Sequence, residues 1–393
     1  MQQPHRLGRR TANPAGAIVV AVAILLVSGI LPAGARAFEA PAIPWQPRAY
    51  ACPRLTTPPV IDGRVDEDAW SAAPWSEPFV DIQGPLAPEP RLRTRVRMGW
   101  NATHFYVAAR LDEPHVWGTL VERDAVIYHD NDFEVFIDPD GDNHLYGELE
   151  INALGTVWDL LLARPYRDGG PAVDAWDIAG LRSAVAVDGT LNNPRDTDRG
   201  WCVELAIPWR VLGAIAGRAC PPASGDIWRV NFSRVEWRAE VADGAYRKVV
   251  DAATGRALPE DNWVWSPQGL IAMHCPEMWG EVMFTDGPPA DAAREVAASP
   301  AHARLAMASG LMPLYYRQQA RREADGAYAA SLAGLDIPVG HWLLWPGESA
   351  TTAALPAGWT LQMTGGADWF RATLATPLGT ATIDHTGRLE TKP

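Results

Sequence analysis

The chain lacks the features that mark nucleic-acid-binding proteins and several common classes of hydrolase. Its 393 residues carry 34 Lys and Arg against 47 Asp and Glu, which gives a formal net charge of −13. An acidic balance of this size argues against a phosphate backbone as partner. Neither a GxSxG nor a HExxH pattern occurs, so neither a serine-hydrolase elbow nor a zinc-protease helix is expected. The four cysteines contain no CxxC pair, which disfavours thiolate metal sites.

The first 37 residues have the pattern of a secretory signal. A basic start at residues 5–10 precedes an apolar run of 14 residues at 17–30, which is short for a bilayer span. Small residues at 35 and 37 predict cleavage before Phe38. We therefore expect a secreted or periplasmic protein without membrane contact after cleavage; an uncleaved membrane anchor is the alternative.

The cysteines all follow this segment. An even number of cysteines in an oxidising compartment favours disulfide bonds, and four cysteines allow three pairings. We predict Cys52–Cys275, which would join the first and last strands of one domain, and Cys202–Cys220 across a local loop.

Short runs of alternating apolar and polar residues dominate positions 52–286. Clear examples are residues 95–100, 104–109, 133–137 and 201–207. Runs of period two at this spacing predict a mostly β domain, a two-sheet antiparallel β-sandwich.

The pattern changes after Gly287. Residues 290–333 have helical composition and spacing, and the chain returns to β-like runs after Pro338. We therefore predict a small α+β tail of one long helix and a β-meander. The predicted organisation is a signal peptide (1–37), a lead-in segment (38–51), the sandwich (52–286) and this C-terminal region (287–393).

Six short segments follow one another in an order that is more specific than any one of them. They are residues 58–63 with Trp70, residues 96–100 with 105–107, residues 131–138, residues 149–152, residues 203–209, and residues 279–280 with Phe284. Together they resemble the family 9 carbohydrate-binding modules, a branch of the DOMON-like β-sandwiches. The resemblance implies a concave sugar slot in which two indoles clamp a ring, polar groups bond its hydroxyls, and calcium supports the fold.

The slot residues of that family map only partly onto this chain. The acidic ligand matches Glu134, and the first clamping aromatic falls near Tyr128. The family's arginine corresponds to Glu150 and its second clamping Trp falls near Met273, so the resemblance implies a slot with different chemistry. His274, next to Met273, is a further candidate for ligand binding; a structural histidine bonded to backbone is the alternative.

Strand alternation supplies a second argument for a ligand-binding face. Side chains on a strand point to opposite faces in turn, so Phe133, Val135 and Ile137 are predicted to enter the core. The residues predicted to share the opposite face are Glu134, Glu150, Asn152, Arg229 and Asn231. Such a face can bond a polyhydroxylated ligand through charge-assisted hydrogen bonds. The alternative is a solvated outer face with cross-strand ion pairs.

The 18 tryptophans divide into two groups by context. Those in apolar runs are predicted to fill the core: Trp70, Trp100, Trp201, Trp209 and Trp228. Aromatic residues beside polar or loop residues are the candidates for stacking on a sugar: Tyr128, Trp158, Trp176, Trp237 and Trp265.

An acidic turn is the best candidate for a metal site. Asp138, Asp140 and Asp142 alternate along it and offer the oxygen ligands that calcium prefers. Asn143 stands where a helix-loop-helix calcium site has glycine. We predict a structural calcium ion here, with a metal-free turn as the alternative, and no organic cofactor.

These observations predict a secreted, non-catalytic carbohydrate-binding protein linked to polysaccharide catabolism. Its expected partner is an oligo- or polysaccharide, with a cell-surface or glycan-degrading assembly as the wider setting. Three alternatives stay open. Glu134 and Glu150 could be the paired carboxylates of a glycoside hydrolase. Met98 or Met273 with His104 or His274 could bind haem, as in some DOMON-like domains. The protein could also be structural at the cell surface.

Overall fold

The computed structural model describes residues 38–287, 291–348 and 350–392, so the predicted signal at residues 1–37 lies outside the described residues. The described chain is mostly β, as predicted. Among the described helices, none combines the length and the apolar character needed to cross a bilayer.

The strands before residue 287 belong to the predicted sandwich or, for Ala239–Ala242 and Ala245–Lys248, to a separate two-stranded hairpin. In chain order they are β1 (Ala49–Pro53), β2 (Val80–Asp81), β3 (Thr94–Trp100), β4 (His104–Asp112), β5 (Asp132–Asp138), β6 (Tyr146–Asn152), β7 (Val157–Leu162), β8 (Ala172–Val173), β9 (Arg182–Asp188), β10 (Gly200–Pro208), β11 (Ile227–Glu236), β12 (Ala239–Ala242), β13 (Ala245–Lys248), β14 (Asp261–Val264) and β15 (Gly280–Thr285). A short helix, α1 (Trp209–Leu212), follows β10.

The tail contains helices first and strands afterwards, in the predicted order. Its elements are α2 (Ala292–Ala297), α3 (Pro300–Ser309), α4 (Met312–Asp325), β16 (His341–Leu343), β17 (Thr352–Ala354), β18 (Thr360–Gly365), β19 (Phe370–Thr376), β20 (Gly379–Asp384) and β21 (Leu389–Lys392). Single 3₁₀ turns occupy Asp68–Trp70, Gly84–Leu86, Ile127–His129, Tyr166–Asp168, Pro276–Met278 and Leu332–Leu335.

Two sheets make the sandwich. The front sheet has the order β1-β15-β11-β5-β6-β7-β8, with β14 also paired to β11 and β2 to β14; the back sheet has the order β3-β4-β10-β9. Neighbouring strands are antiparallel except β1 and β15, which are parallel. A parallel pair needs a long connection, and the whole sandwich lies between these two strands. Because β1 starts at Ala49, it begins inside the predicted lead-in segment.

The main core lies between the two sheets. Phe133, Val135 and Ile137 are buried there, as the alternation of β5 predicted, together with Leu149 and Ile151 of β6. Each buried side chain of this size stabilises the fold by about 1.5–3 kcal/mol. The indoles predicted to fill the core are all buried: Trp70, Trp100, Trp201, Trp209 and Trp228.

Capping residues and prolines divide the predicted helical segment into α2, α3 and α4. Asp291 and Ser299 cap α2 and α3 by accepting from the backbone nitrogens of Arg294 and His302. Proline occupies the first turn of α3 and of α4, where its missing N–H costs nothing. The long helix is α4, with 14 residues, and it ends at Gly326, whose φ is +75°.

A second core joins the tail to the sandwich. Met307, Leu314 and Phe370 from the tail pack in one cluster with Leu270 and Met278 from the sandwich. The β18–β21 meander forms one four-stranded sheet and contributes the tail side of this cluster.

The predicted disulfide bonds, Cys52–Cys275 and Cys202–Cys220, are wrong in this structure, because all four cysteines are free thiols. Cys52 lies in the core between the sheets, whereas Cys275 lies in the second core. Cys202 lies on the face of β10 that does not enter the main core, while Cys220 packs against that core and its Sγ donates to the Trp209 carbonyl at 3.3 Å. The cysteines of each predicted pair therefore lie in different environments.

Candidate functional site

The site begins with the register of the front sheet. Ser233 pairs with Glu134, Glu134 with Glu150, and Glu150 with Trp158. Directly opposed residues project to the same face of a sheet, so these four side chains form one row across β11, β5, β6 and β7. The row lies on the face opposite to Phe133 and Val135, as the sequence predicted.

This row opens into a groove of about 390 Å³. The side chains that matter for its chemistry are Tyr128, Glu134, Glu148, Glu150, Trp158, Tyr166, Glu260, Asn262, Met273 and His274. Five of the predicted ligand residues therefore come together here: Tyr128, Glu134, Glu150, Trp158 and His274.

Aromatic rings form the walls of the groove. Tyr128, on the Ile127–His129 turn, is 39% exposed, and Tyr166, on the Tyr166–Asp168 turn, is 51% exposed. The backbone nitrogen of Tyr128 donates to Glu150 Oε2 at 2.9 Å, which ties the position of this ring to the carboxylate row. Trp158 is half-buried beside Glu150. Rings with one open face and one supported face are suited to stacking on a flat ligand.

His274 is held in place by its neighbours. Its Nδ1 lies 2.9 Å from the Tyr146 hydroxyl, and its ring meets the Tyr166 ring edge-on with centroids 4.4 Å apart. Burial and the Arg167 charge lower the pKa of His274 to about 3, so the imidazole is neutral. Its Nε2 lies 4.0 Å from Glu148 Oε2.

The floor of the groove is acidic. Asp132, Glu134 and Glu150 have carboxylate oxygens that lie within 4.8 Å of one another. Burial raises the pKa of Glu134 to about 7, with a further contribution from the Glu260 charge. Burial and the charge of Glu134 raise the pKa values of Asp132, Glu148 and Glu150 as well.

Three of these oxygens have no donor. Among the described residues, no hydrogen-bond partner reaches Asp132 Oδ2, Glu134 Oε2 or Glu148 Oε2, and each of these atoms is buried. A buried acceptor without a partner costs about 1–3 kcal/mol, and a charged one costs more. The groove therefore presents acceptors that a bound ligand can satisfy.

Asn152, Arg229 and Asn231 share the outer face but do not line the groove. Asn152 Nδ2 donates to the Leu120 carbonyl at 2.8 Å, Arg229 bonds Ser309 of α3, and Asn231 exchanges two hydrogen bonds with Ser266. Their assignment as ligand residues is corrected. Alternation along a strand fixes the face that a side chain shares, but not the segment that covers it.

Three of the predicted stacking aromatics also lie elsewhere. Trp265 is 1% exposed in the main core, and Trp176 packs against the same core. Trp237 donates from Nε1 to the Tyr128 carbonyl at 2.8 Å, and the Lys248 ammonium lies 3.2 Å from its ring centroid. Trp237 therefore supports Tyr128 from behind instead of facing the groove.

The sequence interpretation did not select Glu148, Tyr166 or Glu260 as ligand residues. The position of Glu148, two residues before Glu150 on the same strand, is a signal that strand alternation offers. Tyr166 and Glu260 lie outside the strands of the carboxylate row, where no local pattern predicts the direction of a side chain.

The acidic turn after β5 fits a calcium ion. Ligand oxygens of Asp138, Asp140 and Asp142 lie within 4.8 Å of one another. Asp138 also accepts from the backbone nitrogens of Gly141 and Asn143 at 2.9 and 3.0 Å, which shapes the turn. Burial and the Asp142 charge raise the pKa of Asp140 to about 6. Such mutual repulsion between carboxylates is what a divalent cation relieves.

Comparison with known proteins agrees with the predicted resemblance. Residues 61–220 match the family described as carbohydrate family 9 binding domain-like. No curated protein matches the sequence.

Solved structures with similar folds include two of a family 9 carbohydrate-binding module from Caldicellulosiruptor kristjanssonii. The one in complex with cellotriose is 18% identical, with a TM-score of 0.39 over 62% of this chain and 96% of that chain. The one in complex with glucose is 17% identical, with a TM-score of 0.40 over 62% and 98%. A putative carbohydrate-binding protein from Bacteroides uniformis is 15% identical, with a TM-score of 0.45 over 61% and 100%.

Proposed function

We propose that this protein binds a saccharide in the groove on the front sheet and that it acts in polysaccharide catabolism without itself being a catalyst. One observation carries the proposal: open aromatic rings and a row of carboxylates meet in a single groove, on a sandwich that matches a carbohydrate-binding family over residues 61–220. Rings supply apolar stacking surface, and carboxylates accept from hydroxyl groups. A pocket with few convergent polar groups among apolar walls is the usual form of a small-ligand site.

The groove is suited to binding because strands hold its polar residues. Glu134, Glu150 and Trp158 occupy adjacent strands in fixed register, so their separation does not depend on loop conformation. Sugar hydroxyls that donate to the carboxylates would form charge-assisted hydrogen bonds. The CH face of the same ring would cover Trp158 or Tyr128 and exclude water.

The test is a glycan array followed by calorimetric titration of the ligands that bind. Trp158→Ala is expected to weaken binding by about three- to tenfold, the value of one aromatic contact. The matched control is Trp369→Ala, which removes an indole that is 49% exposed in the tail and should leave affinity unchanged. A folded protein that binds no glycan on the array would contradict the proposal.

A glycoside hydrolase is the second candidate function, favoured by the proximity of two groove carboxylates. Oxygens of Glu134 and Glu150 lie within 4.8 Å, close to the separation of about 5–5.5 Å between the carboxyl groups of retaining enzymes. Release of reducing sugar from a bound oligosaccharide, abolished in Glu134→Gln, would establish this function in place of simple binding.

We also propose that calcium binds Asp138, Asp140 and Asp142 and stabilises the fold. The ion would hold the β5–β6 turn against the tail, since Arg388 Nε donates to Asp142 at 2.8 Å and the Leu389 nitrogen donates to the Asp142 carbonyl at 3.0 Å. Chelator is expected to lower the melting temperature of the wild-type protein and to leave Asp140→Asn unaffected.

We also propose that the protein is exported and that its signal segment is cleaved before Phe38. The backbone nitrogen of Phe38 lies 2.7 Å from Glu323 Oε2, and the Phe38 ring lies edge-on to Tyr315, with centroids 5.6 Å apart. A new amino terminus at Phe38 would place an ammonium against that carboxylate. N-terminal sequencing of the protein recovered from the culture medium or periplasm tests this; a terminus elsewhere would contradict it.

A further inference from the structure

The groove contains several acidic groups and no basic side chain. Its lining includes Glu134, Glu148, Glu150 and Glu260, while neither lysine nor arginine occurs among the lining residues. His274 also lines it but is neutral, because burial and the Arg167 charge lower its pKa to about 3. The Lys248 ammonium, which interacts electrostatically with Glu260, lies over the Trp237 ring.

Two other buried carboxylates of this protein have guanidinium partners. Glu277 is paired with Arg167 at 2.7 Å, and Glu236 with Arg234 at 2.7 Å. A buried carboxylate is stable when it is paired and hydrogen-bonded. Two groove carboxylates depart from this rule, since Glu134 Oε2 and Glu148 Oε2 find no donor among the described residues, and the same holds for Oδ2 of Asp132, which is buried next to Glu134.

The exposure of these groups adds a second observation. Glu134 is 4% exposed and Glu148 is 5% exposed, and Asp132 is completely buried, so bulk water does not compensate their charge as it does for a surface cluster. Glu134 and Glu148 nevertheless line the groove, so a ligand in the groove can contact both. Ser233 lies opposite Glu134 and its hydroxyl can donate to that carboxylate, so the further donors that Glu134 and Glu148 can accept would enter with a ligand.

From this charge distribution we infer that the groove selects saccharides that carry a protonated amino group, and that the ammonium binds between Glu134, Glu148 and Glu150. The inference rests on the proposed saccharide-binding function and names the ligand class for it. An ammonium has three N–H donors and one positive charge. It can therefore satisfy more than one orphaned oxygen and neutralise one of the carboxylates at the same time.

The aromatic walls favour an organic cation over a bare metal ion. Tyr128, Trp158 and Tyr166 provide π faces that attract a cation and cover the CH groups of a sugar ring. A divalent metal would use the oxygens alone and leave these rings without a partner. Neutral sugars can donate hydroxyl hydrogens but bring no positive charge that would favour the ionised form of the groove carboxylates.

The experiment compares three ligand series that differ only at carbon 2 of each ring: β-1,4-linked oligomers of glucosamine, of N-acetylglucosamine and of glucose. Affinities are measured by calorimetric titration at pH 6.5 and low salt. We expect the glucosamine oligomer to bind at least about tenfold more tightly than either neutral series, the effect of one charge-assisted contact in a buried site. Glucuronic acid, which adds a negative charge, is expected not to bind.

Variants separate the amine contact from the saccharide contact. Glu134→Gln is expected to reduce the preference for the amine to about twofold or less, since it replaces a carboxylate by a neutral amide of the same shape. Trp158→Ala should weaken both the amino and the neutral series, because the stacking surface is lost for each, and should leave a preference for the amine. The charge-matched control is Glu240→Gln, an exposed residue on the β12–β13 hairpin that does not line the groove, and it should preserve the preference.

A measurement on the wild-type protein covers the case in which Glu134→Gln does not fold. Affinity for the glucosamine oligomer is expected to rise from pH 5 towards pH 6.5, because Glu134, whose pKa is raised to about 7, begins to ionise over this range while the ligand amine is still protonated. The Glu260 charge acts on Glu134, burial also raises the pKa values of Asp132, Glu148 and Glu150, and His274 stays neutral over that range because its pKa is lowered to about 3. N-acetylation of the ligand should remove this pH dependence.

The outcomes distinguish the preference for the amine, saccharide binding itself and the assigned carboxylate contact. Groove-dependent binding of neutral sugars with no preference for the amine overturns this inference and leaves the proposed function intact. Failure of every saccharide to bind overturns both. A preference for the amine that persists in Glu134→Gln and Glu148→Gln overturns the assigned contact.

A metal ion in the groove would also overturn the inference. In that case Mn²⁺ or Ca²⁺ alone would bind with a stoichiometry that falls by one in Glu134→Gln, and sugar binding would require the ion.

Discussion

The outer face of the front sheet has two halves that differ in how their buried charged groups are hydrogen-bonded. In the covered half, Arg229 lies opposite Asp138 and donates to the Gly141 carbonyl, to Asn143 Oδ1 at 2.7 Å and to Ser309 Oγ at 2.6 Å. In the open half, Glu134 and Glu148 are equally buried, yet each has an oxygen without a donor. The same sheet face therefore serves as a structural junction at one end and as a receptive surface at the other.

The difference shows how a binding site can be recognised by what the fold leaves incomplete. The tail covers Arg229 and gives it partners, so its charge is compensated in the free protein. The groove carboxylates are held by neighbouring strands without such partners, and their raised pKa values record the cost. Four experiments test whether this contrast is real.

The largest expected effect is in the covered half. Arg229→Met should lower the free energy of unfolding by about 3–5 kcal/mol, because it leaves the Asn143 and Ser309 contacts unpaired and Asp138 without its neighbouring charge. Denaturant unfolding measures it. The control is Arg110→Met, an exposed arginine on β4, for which a change within about 0.5 kcal/mol is expected. Equal effects of the two substitutions would remove the contrast.

The opposite sign is expected in the open half. Glu134→Gln should raise the free energy of unfolding of the unliganded protein by about 1–3 kcal/mol at pH 8, because the neutral amide avoids the cost of a buried charge. Ligand affinity should fall in the same variant, so stability and binding move in opposite directions. A destabilised Glu134→Gln protein would show that this carboxylate has a structural partner.

The pH dependence of the free energy of unfolding, compared between the wild type and Glu134→Gln, tests the direction of this effect. Burial raises the pKa of Glu134 from about 4.5 in the unfolded chain to about 7, so the folded state holds this proton more tightly. The stability of the wild type relative to Glu134→Gln should be constant below pH 4.5 and fall as the pH rises to about 7, with a limiting slope of about 1.4 kcal/mol per pH unit. Thermal or urea unfolding across this range measures the difference; a rise with pH would contradict the assignment.

The smallest effect concerns the metal site at the covered end. Removal of calcium by chelator should lower the melting temperature by about 1–2 °C, which corresponds to roughly 1 kcal/mol in a chain of this size. Binding in the groove should be unchanged by chelator if the two halves act independently. Loss of saccharide binding on chelation would show that the calcium site and the groove depend on each other.

The sequence predicted the parts of this arrangement that depend on neighbouring residues. Alternation along β5 correctly separated Phe133 and Val135 from Glu134, and the family resemblance pointed to Tyr128 and Glu134 together. These predictions succeeded because a strand's side-chain period is set locally by the pleat. The order of sandwich first, helices next and meander last was also readable from composition.

What the sequence did not predict is what lies over each strand. Arg229 appeared equivalent to Glu134, yet its partner Ser309 is 80 positions away along the chain, and Asn231 is bonded to Ser266, 35 positions away. The periodicity of a strand does not indicate which distant segment of the chain packs over it. The cysteine prediction failed for the same reason, since Cys52 and Cys275 belong to different cores.

The second core has a consequence for modularity. Leu270, Cys275 and Met278 of the sandwich are buried only in company with Met307, Leu314 and Phe370 of the tail, and Arg167 and Glu277 are joined to Tyr316 across the same boundary. If the sandwich were excised at residue 287, for example as an affinity tag, it would expose the apolar side chains of the second core. It would also expose the Arg167–Glu277 ion pair. A transplanted module would therefore have to include the tail as well as the sandwich to keep this shared core buried.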